Sequence, residues 1–344
     1  MRIDFEELLF SGRGSSALWA ILKSLNKSNG KVLLPVNICE IVYPVILRAR
    51  MTPVFYDVNP NDGNARLKNI QEAYSGEASV LLAVHNYGAP LDIDEIAKWA
   101  KENNIFLIED VCNAIGATYK EKSLGTFGDA AFFSFGYAKI VEYGVGGAAL
   151  INNEDLKLKV KDHISSLEEY SENHKKKDAE YQGRLREIRQ QAHAQLSSVY
   201  LPLYNEYSEY LLYKIDRKTE DEIKKLINKI DRNIEERAQK AIRYRNAIKT
   251  GKVKHIDEVP GQIYWRYNLL VAPDVRDDLI MELRNNNILV STWFPPIAEL
   301  FEEGINMDLY PGSRVFSRQV INLFVDQRAS YADISKTVEI INRM

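Results

Sequence analysis

Lys139 stands between an apolar, strand-like run and a glycine cluster, in FFSFGYAKIVEYGVGGAAL, residues 132–150. A lysine in that setting is either the rim of a surface helix or a reactive amine. An amine in a partly dry pocket has a lowered pKa, so it can act as a nucleophile and form a Schiff base with an aldehyde cofactor. Three further groups bear on the choice. Asp110 ends the apolar run of FLIEDVCNAIGA, where a carboxylate caps the next helix or holds a proton on a bound heteroaromatic nitrogen. Ser134 closes AFFSFG, where a hydroxyl ends the strand or donates to a phosphate. GRGSSALWAILKSL, residues 12–25, puts glycines and serines directly before an amphipathic helix. Free N–H groups and the helix dipole at such a terminus cradle phosphate, with Ser15 and Ser16 adding hydroxyls; serine there is also an ordinary N-cap. Each signal is ambiguous singly, but a lysine that follows all three is a different proposition.

The elements that must position these groups follow from the hydropathy pattern. From residue 31 to about 151, short apolar runs (KVLLP, PVFYDV, ASVLLAV, IFLIED, AAFFSF, GGAALI) alternate with amphipathic segments such as DIDEIAKWAKENN. That alternation predicts a mostly parallel sheet covered by helices on both faces. Ligands in such sheets bind at the carboxyl ends of the strands, where Asp110 and Ser134 fall. Residues 153–247 turn to long charged helical stretches, and the basic cluster His174 to Arg189 is interrupted by acidic residues, as on a solvated helix face. The tyrosine-rich VYLPLYNEYSEYLLY, residues 199–213, has no single period and fits either a helix pair against a partner subunit or core. From about 262, strand-like QIYWRYNLLVAP, ILVSTWF and VINLFV alternate with helical DDLIMELRNNN and ADISKTVEIINRM, predicting a smaller α+β domain.

The chain has 344 residues, 45% apolar and 27% charged, with a formal charge of −3. These values suit a two-domain globular protein and point to no polyanion partner. Its two cysteines, Cys39 and Cys112, lie far apart without metal-ligand spacing, so neither a disulfide framework nor a zinc site is expected. The N-terminus MRIDFEELLF lacks the basic region of an export signal, and the apolar runs are far shorter than a membrane span, so a cytoplasmic location is expected.

With the residues above in place, the sequence resembles the DegT/DnrJ/EryC1/StrS family, fold-type-I pyridoxal-phosphate enzymes that mostly aminate nucleotide-linked keto sugars. The resemblance covers most of the chain. It runs through GSSALWAIL, LPVNICEIVYPVILRARMTPVFYDVNP, HNYGAPLDIDEI, IEDVCNAIGATYKEKSLGTFGDAAFFSFGYAK, VGGAALI, YWRYNLLV and ILVSTWFPPI. It implies an α/β fold-type-I transferase with a large, mostly parallel-sheet, cofactor-binding domain, residues 1–235, and a small C-terminal α+β domain, residues 236–344. By the same resemblance Lys139 would hold the cofactor aldehyde and then move the proton between the amine-bearing carbon and the cofactor. Asp110 would pair with the pyridinium nitrogen, so that the ring accepts electrons. Ser15, Ser16 and Ser134 would hold the phosphate, and Lys139 is expected to be buried so that its amine is desolvated and aimed.

Several positions depart from the family pattern. Asn113 stands where the family usually has Gln, Ile140 where Asn often follows the lysine, and Cys39 where an aromatic residue often stacks on the pyridine, a role left to His85 or Tyr87. The GYN-type motif, whose Asn reaches a neighbouring subunit's phosphate, is not found in residues 165–215; Arg184, Arg186 and Arg189 are the substitutes at hand. The resemblance further implies a homodimer with active sites between subunits, a nucleotide-linked keto sugar as acceptor and an amino acid, glutamate foremost, as donor. The alternatives are an aminotransferase for a cyclitol or other non-nucleotide carbonyl compound, or a non-catalytic metabolite-binding protein of the same fold. A fused helix-turn-helix regulator is not expected, because the sheet begins within about 30 residues of Met1.

Overall fold

The computed structural model describes residues 5–190, 197–302 and 304–344, with the side chains of residues 189, 190 and 197 outside that set. The chain opens with β1 (Leu9–Ser11), α1 (Gly14–Ser24), β2 (Lys31–Pro35), α2 (Val42–Arg48), β3 (Thr52–Tyr56), α3 (Leu67–Ala73), β4 (Ala78–Val84), α4 (Ile93–Glu102) and β5 (Phe106–Asp110). A small ribbon, β6 (Thr118–Tyr119) and β7 (Lys122–Ser123), precedes β8 (Ala130–Ser134) and β9 (Gly147–Ile151). Five helices follow: α5 (Glu154–Ser165), α6 (Glu172–Gln190), α7 (Ser197–Tyr207), α8 (Arg217–Ile227) and α9 (Ile230–Ala247). The rest is β10 (Val253–His255), β11 (Tyr267–Val271), α10 (Pro273–Asn285), β12 (Val290–Ser291), α11 (Ala298–Phe301), α12 (Pro311–Gln319), β13 (Val320–Leu323) and α13 (Tyr331–Asn342).

Seven strands form one sheet in the order β1-β9-β8-β5-β4-β2-β3. The pairs from β3 across to β8 are parallel, and β9 is antiparallel to both β8 and β1. Side chains alternate across the sheet with period two. Leu34, Leu82, Ile108 and Phe132 face α1 and α2, while Leu33, Leu81, Leu107 and Phe133 face the opposite layer with α4. Residues apolar at every strand position are what a sheet buried on both faces requires. The α/β fold with a large, mostly parallel sheet is therefore as the sequence predicts. The second sheet, β10-β11-β13-β12, is antiparallel and carries its own core with α10 and α13.

The division expected at 235/236 falls inside α9. Ile230 and Ile234 at the start of that helix pack on the large core, whereas Ala241 and Tyr244 belong to the small one, so one rigid helix bridges both. The tyrosine-rich segment is one helix, α7, and a following turn. Tyr200, Tyr204, Tyr207 and Tyr213 are buried in the core of this same chain.

Candidate active site

In β5 the period-two alternation sends two adjacent carboxylates to different duties. Glu109, fully buried, accepts the backbone N–H groups of Gly125, Phe127 and Gly128 at 2.7–2.8 Å. His85 accepts the Leu91 N–H at Nδ1, 3.2 Å, so its Nε2 carries the proton that faces Glu109, also 3.2 Å. Burial pushes the Glu109 pKa up, but His85 and these N–H groups outweigh it and hold the carboxyl below its ordinary value. Glu109 thus anchors the SLGTFGD turn. Asp110 is buried at the sheet's carboxyl edge, with Oδ1 accepting the Cys112 N–H at 2.9 Å. Burial raises its pKa, against the pull of the Cys112 N–H and the Lys139 ammonium.

Lys139 projects toward that edge and donates from Nζ to Asn113 Oδ1 at 2.8 Å. It is half-buried, less enclosed than the sequence suggests, between buried Ala138 and Ile140. Its charge is felt by Asp110, Cys39 and Cys112, which places all four around one point. Burial, then the neighbouring Glu40, pushes the Cys39 thiol up to about 11, so it is neutral at physiological pH. The backbone that aims Lys139 is held from three sides. Ala138 adopts φ 61°, a left-handed conformation uncommon for alanine, and its carbonyl accepts Trp265 Nε1–H at 2.7 Å. The Lys139 carbonyl accepts from Arg237 at 3.1 Å, and the Ile140 carbonyl from Asn233 at 2.9 Å.

At the other end of the site lies the start of α1. Arg13 is its N-cap in extended conformation (φ −152°, ψ 162°), and its side chain does not cap the helix. The Ser15 hydroxyl is buried without a hydrogen-bond partner. A buried donor left unpaired costs about 1–3 kcal/mol, so this one invites a ligand atom. Ser134 stands beside Gly14, where an added Cβ would lie 3.1 Å from the Ser134 Cβ and 3.3 Å from the Cys112 sulfur. Gly147 on β9 is pressed so close that a Cβ there would overlap the Arg13–Gly14 peptide. Ser16 is used differently: its hydroxyl, fully buried, accepts the Tyr213 N–H at 3.2 Å and pins the segment after α7.

The structure therefore gathers Ser15, Ser134, Asp110, Asn113, Lys139 and Cys39 at the carboxyl edge of β5 and β8. The His85 side chain is wholly inaccessible and the Tyr87 ring packs among Trp265, Phe294 and Phe316, so neither presents an open face on which a ligand ring could lie. Arg184 is bound to Glu206 at the surface, Arg186 is exposed, and the Arg189 side chain lies outside the described residues. Sequence reasoning missed Arg13, Trp265 and Arg237. Only Arg13, inside the GRGSS run, carried a local signal; Trp265 and Arg237 reach the carbonyls of Ala138 and Lys139 from more than 90 positions away.

By its fold the molecule is of the fold-type-I transferase class. The structure of the aminotransferase TlmJ from Streptoalloteichus hindustanus superposes with a TM-score of 0.78 over 98% of this chain and 85% of that one, at 17% identity. The profile of the DegT/DnrJ/EryC1/StrS aminotransferase family matches residues 9–198, and the chain belongs to that family. GDP-perosamine synthase of Escherichia coli O157:H7 is 33% identical over 144 residues, 42% of this chain and 40% of that protein. The dTDP-4-dehydro-2,3,6-trideoxy-D-glucose 4-aminotransferase of Saccharopolyspora spinosa is 32% identical over 146 residues, 42% of this chain and 38% of that protein. The matched stretch thus spans about two fifths of the length of these curated relatives. Pyridoxal phosphate fits the residues present: an orphaned hydroxyl at an uncapped helix terminus for the phosphate, a buried strand-end carboxyl, and an amine between them.

Proposed function

We propose that this protein is a pyridoxal-phosphate-dependent aminotransferase that moves an amino group from an amino acid, glutamate foremost, to a nucleotide-linked keto sugar. The observation that carries the reading is the Lys139 amine, 2.8 Å from Asn113 and electrostatically coupled to buried Asp110, at the strand edge that also holds the Ser15 and Ser134 hydroxyls. When bound, the cofactor supplies an aldehyde carbon and an electron-accepting ring. Lys139 would hold the cofactor's aldehyde carbon, and its amine, freed by the donor, would take and return the proton of the donor's α-carbon. Asp110 would keep a proton on the ring nitrogen, a cationic partner for a carboxyl whose pKa burial raises. Asn113 orients the amine, while Ser15, Ser134 and the α1 terminus fix the phosphate.

The sugar acceptor is supported by the named activities of the two relatives above, and the surroundings of Lys139 support a homodimer. Tyr137, 70% exposed, and Tyr143, 42% exposed, flank the lysine loop and offer an aromatic face to a second copy. Free thiols at Cys39 and Cys112 suit the cytoplasm, and among the described residues no helix is long and apolar enough to cross a membrane. The test is to add pyridoxal phosphate, reduce with borohydride and map the modified peptide, then follow the visible band on adding glutamate. Modification at Lys139 and bleaching of the band by glutamate are the expected results. Cofactor attached elsewhere, or not at all, would overturn the assignment.

A further inference from the structure

The start of α1 carries a cation that the reading above does not use. Arg13 is fixed by its backbone: Gly146 donates to the Gly12 carbonyl at 2.6 Å, Arg13 bridges Gly146, and Gly147 closes on the Arg13–Gly14 peptide. Its guanidinium donates from NH1 to Asp178 Oδ1 of α6 at 2.8 Å. That pair is one-quarter and one-third exposed, hence not a deeply buried structural lock. α6 reaches across the site here, since the Tyr181 hydroxyl one turn further on feels the charges of both Glu40 and Arg13. Independently, the Ser15 hydroxyl two residues from Arg13 is buried and unpartnered. Among the described residues, Arg237 and Arg266 pair with Asp326, and Arg184 with Glu206.

We propose that Arg13 is a phosphate-binding side chain of this site and that Asp178 on α6 competes with the phosphate for it. The inference rests on reading the α1 terminus as the cofactor's phosphate site. A guanidinium carries five N–H donors in a planar fork and binds phosphate more strongly than it binds one carboxylate oxygen through a single N–H, so a phosphate dianion at the terminus displaces Asp178. The exchange gives α6 a reason to shift when the phosphate arrives. Arg13 also supplies from within the chain a side-chain donor at the phosphate, where the family motif whose Asn donates one from a neighbouring subunit is not found.

Wild type, R13Q, R13K and D178N are to be titrated with pyridoxal phosphate, with pyridoxal lacking the phosphate, and by calorimetry with inorganic phosphate. R13Q is expected to weaken pyridoxal phosphate and inorganic phosphate by about 10- to 100-fold while pyridoxal binding stays unchanged, because a hydrogen bond to a charged group is lost. R13K should retain part of the affinity, and D178N should bind both phosphate ligands more tightly than wild type. Equal weakening of pyridoxal by R13Q, or unchanged phosphate binding, would overturn the role of Arg13. Weaker phosphate binding in D178N would overturn the competition. Arg13-dependent binding of inorganic phosphate in a protein that does not bind pyridoxal phosphate would refute the cofactor reading and leave the assignment of Arg13 standing.

Discussion

Adjacent side chains in this protein face unlike environments, and the chemistry follows from the environment. Glu109 and Asp110 are consecutive carboxylates, yet one is satisfied by three backbone N–H groups and a histidine while the other faces the Lys139 amine. Replacing Asp110 by Asn removes the negative partner without changing shape. We expect kcat to fall by about 100-fold or more in steady-state assays, with the fold unchanged by circular dichroism. Lys139→Ala should lose about 10²- to 10⁴-fold in rate as the proton carrier disappears. An added small amine that restored part of that rate would identify the missing group as the acid–base.

At the scale of elements, the site depends on how closely β9 approaches α1. Gly147 has no side chain, so the strand can lie against the Arg13–Gly14 peptide and set the helix terminus at the strand edge. Gly147→Ala forces the two apart. Cofactor affinity should drop by about tenfold or more, read by titration, against a Gly251→Ala control whose Cβ meets open space. The lysine loop has a corresponding support in α9, where Asn233 and Arg237 hold the carbonyls of Ile140 and Lys139. Because α9 also runs into the small core, the backbone support of the lysine is continuous with that core.

At the scale of the whole molecule, a buried ion cluster lies beside the lysine loop: Asp326, with its side chain inaccessible, meets Arg266 at 3.0 Å and Arg237 at 3.9 Å, with Arg328 beside it and reaching on to Glu142 of that loop. Burial raises the Asp326 pKa and pushes both buried arginines down to about 10, but the three cations and the Arg328 N–H win at the carboxylate and hold it below its ordinary value. A depressed folded pKa means that the carboxylate stabilises the fold above the unfolded value, near pH 4, and that this contribution is lost as pH falls through the folded pKa. Asp326→Asn should therefore cost about 3–5 kcal/mol in urea unfolding at pH 7, because buried cations lose their counter-charge. The deficit should shrink progressively as pH drops below about 4, where the unfolded chain takes up the proton, and should level off once pH has passed the lower folded pKa. A deficit independent of pH would refute this role for the ion cluster.

Strand runs with apolar residues at every position, punctuated by GRGSS, ED, SF and the lysine, were enough to read a parallel sheet and the residues at its carboxyl edge, because hydrophobic period and strand ends are local properties. The sequence alone also identified Ser15, Asp110, Asn113, Ser134 and Lys139 as candidates. Only the tertiary structure decided that the Ser16 hydroxyl serves Tyr213, that His85 and Tyr87 are occupied, and that Arg13 meets Asp178. Those are contacts between residues far apart in the chain, some by more than 160 positions. Which of several chemically suitable partners a polar group takes depends on which elements packing brings against it, and no local pattern carries that information.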